Sequence, residues 1–164
     1  MPQARNLTLY FAGPLFSDAE RRFNELLASK LEQAGFRVFL PQRDGVESSR
    51  PPYDTLAPDQ RRQALFAMDR EHIAKADVFL FVLDGRVPDE GACVELGIAH
   101  GCKWLRQDPK LLVGLHTDVR AAFLGSKVNP LIRGALDVIV STEGALLDLL
   151  LAHAAQGAAS SPPP

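Results

Sequence analysis

The chain has few of the residues that bind metals or make cross-links. Two cysteines in 164 residues, Cys93 and Cys102, are too few for a disulfide framework or a cysteine-ligated zinc site. The four histidines are scattered, with neither HxxxH nor HxH among them, so no metal is expected. Long apolar runs are missing: stretches such as Val78–Leu83 fall far short of the roughly 20 residues that span a membrane. Met1 to Asn6 carry no apolar stretch of the secretory kind, so the expected location is cytoplasmic. Neither sign of charge dominates, because 18 Lys plus Arg against 20 Asp plus Glu leave a net −2. That balance argues against a basic surface for a nucleic acid polymer, and against disorder. No GxxxxGK(S/T), GxGxxG or GxSxG occurs, which disfavours ATP or NAD chemistry and a serine hydrolase. A domain without cofactor remains, whose chemistry rests on carboxylates.

What is present alternates between strand and helix patterns. Leu7–Phe11 reads as a buried strand closed by Ala12-Gly13-Pro14. Ser17 and Glu20 form a capping box, opening a helix whose apolar face carries Phe23, Leu26, Leu27, Leu31 and Ala34 before Gly35 stops it. Phe36–Leu40 is a second strand ended by Pro41, and residues 42–57 form a long loop suited to a lid or a binding role. A helix follows from Pro58 to about Ala76, and then Val78–Leu83, an unbroken apolar run typical of a central parallel strand. A helix from Glu90 to His100 stops at Gly101, and Lys103, Trp104, Arg106 and Lys110 read as a solvated connection. Leu111–Leu115 and Val138–Val140 are further strands, and Thr142–Ala155 is a last amphipathic helix. The expected domain is 1–155, with 156–164 a disordered tail of Ala, Ser, Gly and Pro. This order predicts an α/β single domain: an open parallel sheet of about five strands with helices on both faces, flavodoxin- or Rossmann-like. Such sheets bind ligands at the carboxyl ends of their strands.

Three acids fall where a solvated face does not put them. Asp69 lies four residues after Leu65 and four before Ile73, so it interrupts an apolar helical stripe. Paired with Arg62, Arg70 or a backbone amide it is simply a half-buried Asp; at a pocket edge, desolvation makes it an acid. Glu95 stands alone among small and apolar residues, Gly91 to Ala99, with no base within a turn, a costly burial without a purpose. Gly91 and its small neighbours let a flat ligand approach. Asp89 suits an N-cap, and the six residues to Glu95 place the two carboxylates about 9 Å apart along a helix. Tyr10, at the end of the first strand, packs in the core or orients a carboxylate. Cys93 is a packing residue.

Together these segments become specific. Leu9-Tyr10-Phe11-Ala12-Gly13-Pro14, then Met68-Asp69, then Asp89-Glu-Gly-Ala-Cys-Val-Glu95-Leu-Gly-Ile-Ala99 resemble the nucleoside 2-deoxyribosyltransferase family, in order and from about Leu7 to Leu150. Thr117-Asp118-Val-Arg120 and Asn129-Pro-Leu131 also look like family segments. The resemblance implies Glu95 as nucleophile, Tyr10 as the group that positions it and Asp69 as the acid that protonates the leaving base. It implies that Asp89 binds a sugar hydroxyl and that Asn129 does so from a neighbouring subunit, hence a homo-oligomer, at least a dimer, with shared active sites. Gly13 and Gly91 border the substrate, and Gln42 and Asp44 lie by the base. Deoxynucleosides and free nucleobases are the implied partners, with no metal or organic cofactor. Ala92 stands where the family often has Thr, and the stretch 101–110 is longer than its usual turn. The implied reaction is retaining double displacement through a covalent deoxyribosyl-glutamate. One alternative on the same fold is a nucleoside 5′-monophosphate N-glycosidase, disfavoured because Asp89 would repel a phosphate. The other is a non-catalytic nucleotide-sensing domain.

Overall fold

Parallel strands buried on both faces are near-continuous apolar runs, and the chain uses five of them. A computed structural model describes residues 7–47, 49–120 and 128–159. Strands β1 (Thr8–Ala12), β2 (Arg37–Phe39), β3 (Val78–Val82), β4 (Leu111–Leu115) and β5 (Val138–Val140) form one sheet in the order β2-β1-β3-β4-β5, every adjacent pair parallel. The helices are α1 (Asp18–Gln33), α2 (Pro41–Asp44), α3 (Pro58–Lys75), α4 (Glu90–Arg106), α5 (Pro130–Ala135) and α6 (Glu143–Ala159), with a 3-10 turn at Tyr53–Thr55. Alternation along the strands divides the core in two. Leu9, Phe11, Leu80 and Val82 pack with Leu27 and Leu31 of α1 and with Leu146 and Leu150 of α6. Tyr10, Phe79 and Phe81 face the other way, onto Ile73 of α3 and Ala92, Leu96 and Ala99 of α4. The expected open parallel sheet with helices on both faces is therefore the observed one. Strand order reverses between β1 and β3, which opens a crevice at their carboxyl ends.

Local signals hold at the start of the chain. Ser17 Oγ accepts from Glu20 N, and Glu20 Oε2 accepts from Ser17 N at 2.8 Å. Gly35 follows α1 at φ +101°, a left-handed conformation that glycine adopts without cost. Leu26, however, is 56% exposed; the buried row runs through Asn24, Leu27, Ala28 and Leu31, and Leu26 sits about 100° off Leu27.

Four other expectations are corrected. The long loop after β2 is not structureless: Pro41, with its fixed φ, starts α2, and Tyr53–Thr55 adds a turn. Gly101 does not stop α4, which continues to Arg106 and ends at Gln107 with φ 53°. The added turn is anchored where Lys103 Nζ meets Asp137 Oδ2 at 2.6 Å beside β5. Lys103, Trp104 and Arg106 of the solvated connection thus belong to the end of a helix, and Lys110, just before β4, is 1% exposed with no partner for its ammonium among the described residues. Finally, α6 runs to Ala159, carried by alanines that favour helix; residues 160–164 of the expected tail lie outside the described residues. Among the described residues no helix is long and apolar enough to cross a membrane.

Candidate active site

Tyr10 is the third residue of β1, in mid-strand rather than at its end, and it is fully buried. Parallel register sets it opposite Phe39 on β2 and Phe79 on β3. Its ring stacks on both, with centroids 5.5 Å and 5.7 Å away. Held between two rings, the side chain has one direction left, outward to the helices. Its hydroxyl donates to Glu95 Oε1 at 2.8 Å.

Glu95 reaches that point because of how α4 begins. Asp84 accepts from the amides of Thr117 and Asp118 at 2.6 Å and 2.9 Å, tying the loop after β3 to the loop after β4. Asp89 then caps α4, accepting from Ala92 N at 2.8 Å. Ala92, Leu96 and Ala99 press the helix onto the sheet, and Glu95, one position before Leu96, turns to the crevice.

The crevice is a cavity of about 310 Å³ lined by Gly13, Gln42, Asp69, Asp89, Gly91 and Glu95, with apolar walls from Leu15, Phe16, Val46 and Leu65. Asp69 projects from α3 on the stripe foreseen for it: Leu65 above it lines the cavity and Ile73 below it is buried. Gly13 sits where β1 passes β3, and a Cβ there would lie 3.0 Å from Val82 Cβ, so a larger residue would have to push Val82 aside by a few tenths of an ångström.

Two expected site residues lie off this cavity. Asp44 does not line this cavity; its Oδ2 accepts from Leu40 N at 2.9 Å and its carboxylate pairs with Arg43, which holds it below the usual carboxylate range. It was assigned to the base through its place in the long loop, which α2 turns away. Asn129 caps α5, its Oδ1 accepting from Leu131 N at 2.9 Å, and it is exposed and apart from the cavity. Gln42 does line the cavity, but its amide is engaged behind the wall, accepting from Asn24 at 3.0 Å and donating to Arg21 O at 2.9 Å.

Sequence reasoning missed Asn24, which is buried and also donates to Pro14 O at 2.9 Å, bracing the turn beside Gly13. Its signal was a polar residue on an apolar helical row. It missed His72 as well, three residues after Asp69 and stacked on Phe39 at 3.8 Å.

Electrostatics make the carboxylates unusual. Burial pushes the Glu95 carboxyl up to about 7, helped by the negative charges of Asp69 and, least, Asp89; the Tyr10 hydrogen bond opposes this. Burial also raises Asp69, opposed by the same hydroxyl and by the charge of His72. Burial thus acts on both carboxyls. The Tyr10 hydroxyl is itself pushed up, by burial and by both carboxylates, and stays a donor. Four of the five charged residues around the cavity are acidic; the fifth, Arg43, is bound to Glu32 at 2.8 Å and to Asp44 at 2.9 Å.

Known proteins resemble the chain in sequence pattern and in fold. The family model described as nucleoside 2-deoxyribosyltransferase matches residues 9–150. No curated protein matches the chain significantly. Among solved structures, a conserved protein from Enterococcus faecalis V583 superposes with TM-score 0.71 at 24% identity, over 92% of this chain and 98% of that one. A 2-deoxyribosyltransferase from Bacillus psychrosaccharolyticus gives 0.69 at 20%, over 88% and 95%. A CMP N-glycosidase from Clostridium botulinum gives 0.52 at 21%, over 87% and 96%. At these identities the likeness is one of fold.

Proposed function

We propose, because this chain belongs to the nucleoside 2-deoxyribosyltransferase family, that it moves 2-deoxyribose from one nucleobase to another. The observation that carries this reading is the 2.8 Å hydrogen bond from Tyr10 to Glu95 inside a cavity that Asp69 also lines. In the reactive form Asp69 holds a proton and Glu95 is ionised. Glu95 attacks C1′ as the N-glycosidic bond breaks, and the bond's electron pair leaves on the base, which takes the Asp69 proton. A deoxyribosyl ester of Glu95 results. An incoming base then attacks C1′, its proton passes to Asp69, and Glu95 leaves as carboxylate with configuration retained. Tyr10 steadies the charged Glu95 at the start and the end. Asp89 is placed to take a sugar hydroxyl through the carboxylate oxygen that its cap leaves free.

Several features favour a nucleoside over a nucleotide. Among the described lining residues the only cation, Arg43, is already paired, so a phosphate dianion would meet uncompensated carboxylates. Asn129, exposed at the start of α5, is available to a neighbouring copy, and on this reading it completes that copy's site from across an interface in a homo-oligomer of at least two chains. The deciding assay offers deoxyuridine or deoxyinosine with adenine, then a deoxynucleoside monophosphate. Formation of deoxyadenosine is expected. Base release from the nucleotide without exchange from the nucleoside would establish the hydrolase instead, and ligand binding with no turnover of either would establish the sensor.

A further inference from the structure

Behind the site lies a second cavity, of about 420 Å³, lined by Tyr10, Arg37, Phe39, Asp44, His72 and Lys75. Four rings stand in a column, three of which, Tyr10, Phe39 and His72, line this second cavity. Phe79 stacks on Tyr10 with planes 4° apart, Tyr10 on Phe39 at 20°, and His72 closes the far end on Phe39 at 3.8 Å and 15°. His72 is exposed. It also follows Asp69 by three residues on α3, which puts the two side chains on one face, one turn apart. The ring that meets solvent behind the site is thus joined to the catalytic groups twice, through the stack to Tyr10 and through space to Asp69.

We propose that His72 is a positioning residue of this site, its ring completing the stack that fixes Tyr10 and its charge acting on the Asp69 carboxyl. The inference rests on the transfer reading for the role of Asp69. The other charged groups facing His72 are largely matched to one another. From α3, Lys75 pairs with Glu71; from α2, Arg43 pairs with Asp44 and reaches Glu32 of α1; from β2 comes Arg37. Among the described residues Asp69 forms no ion pair, and His72 is the cationic group that acts on it. A positive imidazole favours the ionised form of Asp69, as it does those of Asp44 and Glu71. His72 thereby makes Asp69 release its proton at lower pH than it otherwise would, against the larger effect of burial.

Two variants separate ring from charge. His72→Phe keeps the stack and removes the charge, whereas His72→Gln removes both. The measurements are the Asp69 titration, followed by carbon-13 NMR of labelled aspartate and assigned with Asp69→Asn, and the pH profile of base exchange. In both variants the Asp69 titration is expected to move to higher pH, and the alkaline limb of kcat/KM with it. His72→Gln should in addition lose about tenfold in kcat with little change in KM, as the hydroxyl of Tyr10 loses its fixed direction. A merely structural lesion lowers activity at every pH and does not extend it upward. An Asp69 titration identical in all three proteins overturns the inference. If the wild-type chain catalyses no exchange, the transfer reading fails, and the NMR titration still decides whether His72 governs Asp69.

Discussion

The Tyr10 hydroxyl donates to Glu95 Oε1 at 2.8 Å, joining two residues 85 positions apart in the chain. The bond stabilises the charged carboxylate against a burial that pushes its pKa up. Tyr10→Phe removes that opposition and leaves the ring stack in place. Glu95 should then titrate above about 7, so the acid limb of the activity profile should move to higher pH. A loss of about 10- to 100-fold in kcat is expected, with little change in melting temperature. Profiles of kcat/KM from pH 5 to pH 9 check this.

A carboxyl held near 7 costs stability at neutral pH. The folded chain keeps the Glu95 proton up to about 7, whereas the unfolded chain releases it near 4.5. Between those values the folded state binds more protons, so stability falls as pH rises through the window, by about 1–3 kcal/mol from this group. Glu95→Gln should abolish exchange, melt at higher temperature than the wild type at pH 8, and lose that part of the pH dependence. Thermal unfolding at pH 5 and pH 8 measures both.

How much of this was legible in the sequence follows from the range of each interaction. The five strands were readable because each is a short apolar run between breakers, and parallel order followed from the alternating helices. Asp69, Asp89 and Glu95 stood out because each departs from its local pattern. The partner of Glu95 was not readable: that Tyr10 points at it depends on Phe39 and Phe79 falling into register on neighbouring strands. The end of α4 was misjudged because Gly101 resembles a stop, while the ion pair of Lys103 with Asp137 that holds the last turn spans 34 residues. Asp44 and Asn129 were assigned through the family resemblance, and their backbone caps come from turns that only the fold shows.

Lys110 is the cleanest case of a signal that sequence conceals. It is 1% exposed, its ammonium has no partner among the described residues, and burial lowers its pKa. A lysine lowered in the fold binds fewer protons there than in the unfolded chain, so stability rises with pH up to its ordinary value of 10.5. Lys110→Met should raise stability by about 1–3 kcal/mol at pH 7 and flatten the rise toward pH 10. Denaturant unfolding across that range is the check.

The proposed sharing of sites between subunits makes its own demand. Glu95→Ala and Asn129→Ala should each be severely impaired alone. Mixed after unfolding and refolding together, half of the random dimers pair one of each, and one of their two sites has both native groups. About a quarter of the wild-type activity should return. No recovery, with mixed oligomers demonstrated by mass, would place Asn129 outside any shared site.

The nucleophile is the centre of the account, and a 2-fluoro-substituted deoxynucleoside tests it most directly, because the fluorine slows breakdown of the glycosyl ester more than its formation. After incubation and peptide mass analysis, one fluorodeoxyribosyl group should be found on Glu95, and should be released when adenine is added. Exchange that proceeds with no adduct on Glu95, or with the sugar on another residue, would contradict the assignment.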